Sequence, residues 1–150
     1  MPEAIIFIGA QASGKSTFYA KQFFNSHIRI SRDLLKTRNR EKRLLDVCID
    51  TQMSFVIDNT NPTVADREKY IQALSGTDFT IIGFYFKSSI SECIERNSKR
   101  MGNEKIPELG IRVTHKKLQL PSMSEGFDKL WYTTIITGTD FRMDEWQSEL

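Results

Sequence analysis

The sequence predicts an α/β fold: a mostly parallel five-stranded sheet flanked by helices, with a small lid. Three observations predict it. Short apolar runs alternate with stretches of helical spacing along the chain. The first run, Ala4–Ile8, is continuously apolar, as a strand covered on both faces is. The length of 150 residues, with 39% hydrophobic and 27% charged side chains, suits one globular core.

The elements follow in order. After the Ala4–Ile8 strand comes Gly9, and a helix is expected from Lys15 to about Phe24. His27–Ser31 reads as a second short strand. Leu44, Leu45, Cys48 and Ile49 recur at helical spacing, which predicts helix over about 40–52. Phe55–Asp58 is a third strand. Asn61-Pro62 reads as the N-cap and first residue of a helix that reaches about Leu74 and stops near Gly76. Phe79–Phe86 is the fourth strand. Ser89 and Glu92 have capping-box spacing at the head of a helix from 90 to about 100. Met101–Gly110, with Gly102, Pro107 and Gly110, suits a mobile loop. A further helix is expected over 108–119 and a last strand over Trp131–Ile136. The whole is expected to be a single domain, residues 1–150, with its lid at about 96–112. Sheets of this kind bind ligands beyond the carboxyl ends of their strands, so the residues after Ile8, Ile30, Ile57 and Phe86 are where chemistry is sought.

Composition excludes several classes. The longest apolar run is far too short to span a bilayer. The Met-Pro-Glu start lacks the basic opening and long apolar stretch of a signal peptide, so a cytoplasmic location is expected. Cys48 and Cys93 form no CxxC pair, and His27 and His115 have no metal-ligand spacing. A disulfide framework or a zinc site is not expected. The net charge of +2 announces no polyanionic partner through an overall field.

Gly9-Ala10-Gln11-Ala12-Ser13-Gly14-Lys15-Ser16 fits GxxxxGK[ST] without a gap, with Thr17 following. The four fixed positions match by chance in about one chain in two hundred of this length. The motif also follows a buried strand and opens a helix, as its mechanism needs. Successive backbone N–H groups wrap a β-phosphate, and the helix N-terminus adds about half a positive charge. Lys15 places an ammonium on the β/γ-phosphates, and the Ser16 hydroxyl can ligate Mg²⁺. The motif marks a nucleoside triphosphate, not a reaction. An NKxD base-reading motif is absent from the sequence, and a small phosphotransferase is the favoured class.

Asp33 lies just beyond the second strand. It suits a base for an attacking hydroxyl, and it equally suits a cap for the next helix. Arg29–Arg43 carries Arg29, Arg32, Lys36, Arg38, Arg40, Lys42 and Arg43 against Asp33 and Glu41, a net +5, while Thr139–Leu150 is net −3. The basic run is either a solvated face or a site for an anionic acceptor such as a nucleic-acid backbone. Arg96 and Arg100, four apart, are candidates for a lid over the triphosphate or for an exposed helix face. Asp58, at the end of the third strand, either orients Mg²⁺ or its waters or caps the loop that follows. Cys48, Cys93 and His115 read as packing positions, as do Trp131 and Trp146.

Together these segments resemble the kinase domain of the 5′-hydroxyl polynucleotide kinase family. Gly9–Thr17 resembles its phosphate loop. Ile30-Ser31-Arg32-Asp33 resembles its NRD segment, whose aspartate is the general base. Ile57-Asp58-Asn59-Thr60-Asn61-Pro62 resembles its IDNTNP element on the acceptor side. Arg96-Asn97-Ser98-Lys99-Arg100 resembles its helix-to-lid segment. Pro121-Ser122-Met123-Ser124-Glu125-Gly126-Phe127 resembles a P-x-x-x-E-G-F stretch near the domain's end. The order and spacing of all five are far more specific than the loop alone. Gln11 and Ala12 depart from the family's GxPGxGKST, so Ala12 must sit where a Cβ is tolerated or the loop must be reshaped. Lys36 stands where some members carry an arginine; it keeps the charge but loses the bidentate fork, and Arg38 or Arg40 could take over. The chain has no DxDx[TV] phosphatase motif, so 3′-phosphatase activity is not expected.

The resemblance implies a kinase using ATP and Mg²⁺ to phosphorylate a hydroxyl, foremost the 5′-OH of DNA or RNA. Asp33, Lys15, Arg96 and Arg100 would be catalytic. Gly9 to Thr17 with both arginines would bind ATP, and Ser16 and Asp58 would serve the metal. Arg32, Asp33, Lys36, Arg38, Asn59 and Asn61 would meet the acceptor. The alternatives are a small-metabolite or nucleoside kinase and an ATP-dependent binding module without acceptor turnover.

Overall fold

The computed structural model describes residues 1–137 and 139–147. Its centre is a six-stranded sheet in the order β2-β3-β1-β4-β5-β6. The strands are β1 (Glu3–Ile8), β2 (Ile28–Ile30), β3 (Phe55–Ile57), β4 (Thr80–Phe86), β5 (Lys129–Thr137) and β6 (Asp140–Glu145). The first five run parallel, and β6 folds back antiparallel on β5. The expected five-stranded sheet is thus one strand short. β6 reads Asp-Phe-Arg-Met-Asp-Glu, and most of it is exposed. An edge strand facing water needs no apolar run, so no such run announced it. Of the acidic Thr139–Leu150 stretch, residues 148–150 lie outside the described residues.

β1 is the axis of the molecule, with β3 on one side and β4 on the other. Its alternate side chains serve two cores. Ala4, Ile6 and Ile8 face a cluster with Leu45, Cys48, Tyr70 and Leu74, supplied by α3 (Arg38–Thr51), α4 (Val64–Ala73) and its C-cap. Ile5 and Phe7 face Phe18 and Tyr19 of α1 (Lys15–Gln22) and Phe84 and Phe86 of β4. Phe7, Phe18, Phe84 and Phe86 meet largely edge to face, the arrangement the ring quadrupole favours. The remaining helices are α2 (Arg32–Leu35), α5 (Ile90–Ser98) and α6 (Glu108–Lys117).

One expected helix start and one expected capping box are corrected, while α5 starts at Ile90 as expected. α4 begins at Val64, with Thr63 as its cap and Asp66 closing a reciprocal capping box. Asn61 is instead left-handed at φ 43°, and its amide donates to the Phe7 carbonyl at 2.8 Å. Ser89 stands before α5, but its side chain makes no capping hydrogen bond, and its hydroxyl lies 3.3 Å from that of Ser91. A capping box does form at Ser122 and Glu125, around a 3₁₀ turn at Met123–Glu125.

That turn belongs to an interior clamp. Arg67 of α4 is fully buried. Its Nε donates to Glu125 Oε1 at 2.8 Å and its Nη2 to Oε2 at 3.2 Å. Its Nη1 donates to the Asn61 carbonyl and its Nη2 to the Gln119 carbonyl. One guanidinium therefore ties the loop after β3 to the segment before β5. The chain then turns at Gly126, φ 119°, and lays Phe127 against Gly83, where a Cβ would come within 2.8 Å of the ring. No helix among the described residues is long and apolar enough to cross a membrane.

Arg67→Ala leaves the Glu125 carboxylate unpaired in the interior and is expected to cost about 3–5 kcal/mol, read from urea unfolding midpoints. The double variant Arg67→Met/Glu125→Leu is expected to cost less than the single change, because no buried charge is left behind.

Candidate active site

β1 ends at Ile8, and residues 9–14 form the loop that opens α1 at Lys15. Gly9 N–H donates to the Thr60 carbonyl, which anchors the loop to the strand-three side. A Cβ on Gly9 would lie 2.9 Å from Ser13 Oγ and 3.1 Å from Phe86 Cβ. Gly14, at φ 100°, is the N-cap of α1. Ala12 also has positive φ, 62°. The departure from glycine at this place therefore leaves the loop's backbone in glycine's conformation, and the alanine bears the strain. Its side chain is buried in a small cluster with Ala10, Cys93 and Ile111. The Arg96 Nε–H holds its carbonyl at 2.6 Å.

The Lys15 ammonium is folded back into the loop. It donates to the Ala10 carbonyl at 2.7 Å, the Gly9 carbonyl at 3.0 Å and Ser13 Oγ at 3.4 Å. Burial lowers its pKa from 10.5 to about 8; the Asp58 carboxylate pulls the other way, Arg100 adds to the fall, and Asp33 opposes it.

Asp58 does not cap the following loop. Its Oδ2 accepts from Ser16 Oγ–H at 2.9 Å and from Arg29 Nε–H at 2.8 Å. Asp33 does not cap α2 either. Ser31 does, accepting from the Leu34 N–H, while Asp33 is exposed and accepts no hydrogen bond among the described residues. Both carboxylates stand beyond strand ends on the β2–β3 side of the loop.

The segment that carries Asp33 is held from below. Arg32 N–H donates to Asn59 Oδ1 at 2.9 Å. Asn59 Nδ2 donates to Glu41 Oε2 at 3.0 Å, and Tyr70 Oη and Arg32 Nη2 donate to Glu41 Oε1 at 2.8 and 3.2 Å. Burial pushes the Glu41 carboxyl up, and the bonds from Arg32, Tyr70 and Asn59 outweigh it, leaving the pKa below the ordinary value. Of the residues expected to meet an acceptor, Asn59 and Asn61 have their amides engaged inside the protein, while the half-buried Arg32 bonds Glu41 through Nη2 and leaves Nε without a partner among the described residues. Sequence reading gave no role to Glu41, one of two acids in a basic run; its contact with α4's Tyr70 is visible only once the chain is folded. Lys36 and Arg38 are exposed, and Arg40 reaches the Leu35 carbonyl.

On the other side, Arg96 and Arg100 line a cavity of about 170 Å³ with Ala12, Gly14, Thr17, Ile135 and Phe141. Arg100 follows α5 and donates to the Glu104 carbonyl. The two arginines share that cavity although the helix ends between them. Asn97 pairs both ways with the Ile106 backbone, which braces the 96–112 segment internally, while Arg96 on the Ala12 carbonyl and Ile111 against Ala10 and Ala12 tie it to the loop, and Gln11 donates to Thr114 further along α6. Ile135 and Phe141, from the unforeseen hairpin, complete the wall.

Residues 29–121, more than half of the chain, match the AAA domain family AAA_33. The chain belongs to that family. The match spans Asp33, Asp58, Arg96 and Arg100 and starts beyond the phosphate loop. The bifunctional polynucleotide phosphatase/kinase of Schizosaccharomyces pombe is 28% identical over 129 residues, covering 83% of this chain and 32% of that protein. This AAA-domain chain spans about a third of the length of the curated relatives it matches. Among solved structures, a sugar kinase from Janibacter sp. superposes with a TM-score of 0.67 at 14% identity, covering 88% of this chain and 86% of that one. A fungal RNA kinase superposes with a TM-score of 0.63 at 15% identity, covering 99% and 79%. Both likenesses show the fold.

Ala12→Gly removes the left-handed strain at a residue whose Cβ contributes little volume. It is expected to raise stability by about 1 kcal/mol, seen as a higher thermal midpoint.

Proposed function

We propose that this chain is an ATP-dependent phosphotransferase that moves the γ-phosphate to a hydroxyl, with the 5′-OH of a polynucleotide as the acceptor. The observation that carries the reading is a solvent-facing, unengaged Asp33 just beyond β2, at the same sheet edge where the phosphate loop follows β1. The named activity of the fission-yeast relative supports the acceptor class. So do the exposed Lys36 and Arg38, three and five residues beyond Asp33.

The loop residues Gly9 to Thr17 cradle the triphosphate. Arriving phosphate oxygens replace the Gly9 and Ala10 carbonyls as partners of the Lys15 ammonium, and the buried cation gains the counter-charge it lacks. The acceptor hydroxyl gives its proton to an Asp33 oxygen, its oxygen forms the new bond to the γ-phosphorus, and the bond to the ADP oxygen breaks. Lys15, Arg96 and Arg100 balance charge on the transferring group. The oxygen donors Ser16 and Asp58 fit a hard divalent cation, and Mg²⁺ held there would neutralise charge on the β/γ-phosphates. The 96–112 segment acts as the lid that excludes water. Arg32, Asn59, Glu41 and Asn61 position the acceptor side, while Lys36 and Arg38 meet the acceptor's backbone.

Asp33→Asn is expected to leave ATP binding within a factor of about three while cutting transfer by 10²-fold or more, at the lower end of what positioned bases contribute. Labelled ATP with a panel of 5′-OH oligonucleotides, nucleosides and sugars reads this directly. Label on oligomers supports the reading, label only on monomers makes the chain a small-molecule kinase, and ATP binding without any labelled acceptor makes it a binding module.

Lys15 sets a pH dependence. Below about pH 8 the free protein already carries the ammonium, so ATP affinity is flat. Above it the free lysine is neutral, binding takes up a proton, and affinity is expected to fall up to tenfold per pH unit. Calorimetry at pH 8.5–9 in two buffers of different ionisation heat should show net proton uptake; none would remove Lys15 as the phosphate partner.

A further inference from the structure

Arg29 is absorbed neither by the phosphate cradle nor by the acceptor side. It projects from the middle of β2, and its guanidinium lies on the two oxygens that suit a divalent cation. Its Nε–H donates to Asp58 Oδ2 at 2.8 Å and its Nη2 to Ser16 Oγ at 3.1 Å. Ser16 Oγ–H in turn donates to the same Asp58 oxygen at 2.9 Å. The three side chains close a triangle. The Asp58 side chain is only 2% exposed, whereas that of Arg29 is 30% exposed. The guanidinium carbon lies 6.0 Å from the centroid of the Tyr19 ring, whose hydroxyl is fixed on the His27 carbonyl.

This arrangement has a chemical cost for a metal. Mg²⁺ binds oxygen lone pairs at about 2.0–2.1 Å. Here the Ser16 lone pair aimed at Arg29 and both hydrogen-bonding directions of Asp58 Oδ2 are already taken. A monovalent cation also neutralises the one carboxylate of the pair. The same contact solves a problem in the protein without nucleotide, since a nearly enclosed Asp58 carboxylate without a cation would be costly. Arg29 is anchored by its strand, but its head is open to water and can leave by side-chain rotation alone.

We infer that the Arg29 guanidinium is a built-in occupant of the metal position, displaced from Ser16 and Asp58 when a divalent cation arrives with the nucleotide. The inference deepens the reading of Ser16 and Asp58 as the metal's donors and rests on it. Arg29 is then a specificity-determining residue. It keeps the bare protein from loading metal, and it makes the metal–triphosphate pair, with its greater charge, the species that opens the site.

The test is Mn²⁺ binding to nucleotide-free protein, followed by electron paramagnetic resonance of the free ion, for wild type, Arg29→Gln and Arg29→Lys. Arg29→Gln removes the competing charge and is expected to bind Mn²⁺ at least tenfold more tightly. Arg29→Lys keeps the charge without the two-pronged fork and is expected to fall between. Equal or weaker Mn²⁺ binding by Arg29→Gln overturns the inference while leaving the donors intact. Absence of Mn²⁺ binding in all three proteins, even with ATP present, overturns the donor assignment itself. A second measurement needs no variant. The Arg29 Nε–H resonance of the wild-type protein should shift and exchange faster on adding Mg²⁺ with a non-hydrolysable ATP analogue, but not on adding the analogue with a chelator. An unmoved resonance under both conditions overturns the displacement.

Discussion

Among the described residues, the Lys15 ammonium is enclosed with two backbone carbonyls and a serine hydroxyl as its hydrogen-bond partners, and with no carboxylate among them. That is an uncomfortable state for a cation, and it is why burial pulls its pKa down to about 8. The rest of the site is arranged around that discomfort. Asp58 supplies the nearest compensating charge but is itself engaged by Ser16 and Arg29. Arg100 works against it. A polyanion would supply the counter-charge that the enclosed ammonium and Arg100 share a need for, while Asp58 is balanced by Arg29.

Around this centre the two sides are built differently. The Asp33 side is braced by networks of polar groups, Glu41 with Arg32, Asn59 and Tyr70, and Arg67 with Glu125 and two carbonyls, in which Arg32 Nε alone among the described members is buried without a partner. Such networks fix one geometry, because each member left unpaired would carry a full desolvation penalty. The Asp33 segment is thereby held while the Asp33 carboxylate stays open. The opposite side is held by Arg96 on the Ala12 carbonyl and by the part-buried Gln11–Thr114 bond, while beyond α5 Arg100 reaches the Glu104 carbonyl in an exposed contact. Segments of that kind are where a protein can move at little cost.

Much of this was legible. The continuous apolar run of β1, the glycine-bounded loop and the carboxylates after β2 and β3 are local patterns, and the structure places them together because a parallel sheet brings its strand ends to one edge. The failures are equally local in origin. Asn61-Pro62 has the composition of a helix start, yet Asn61 is drawn to the Phe7 carbonyl one strand away, and Thr63 takes the cap. Ser89 and Glu92 have the spacing of a capping box without making one, whereas Ser122 and Glu125 make one. At Asn61 a contact with a distant segment outweighed a propensity worth about 1 kcal/mol, whereas the Ser89 hydroxyl lies against Ser91 only two residues on.

By itself, the order of residues determined the strand–helix alternation, the phosphate loop and the placing of Asp33 and Asp58 at strand ends. These follow from hydrophobic periodicity and from backbone freedom over a few residues. Only the tertiary structure decided which charges of the basic run are spent in ion pairs and which face water. It also decided that Phe141 of the hairpin walls the cavity and that Arg67 reaches Glu125 fifty-eight residues away. Those outcomes depend on side chains meeting across the sheet, and pairwise electrostatics and packing act through space, where separation along the chain carries no information.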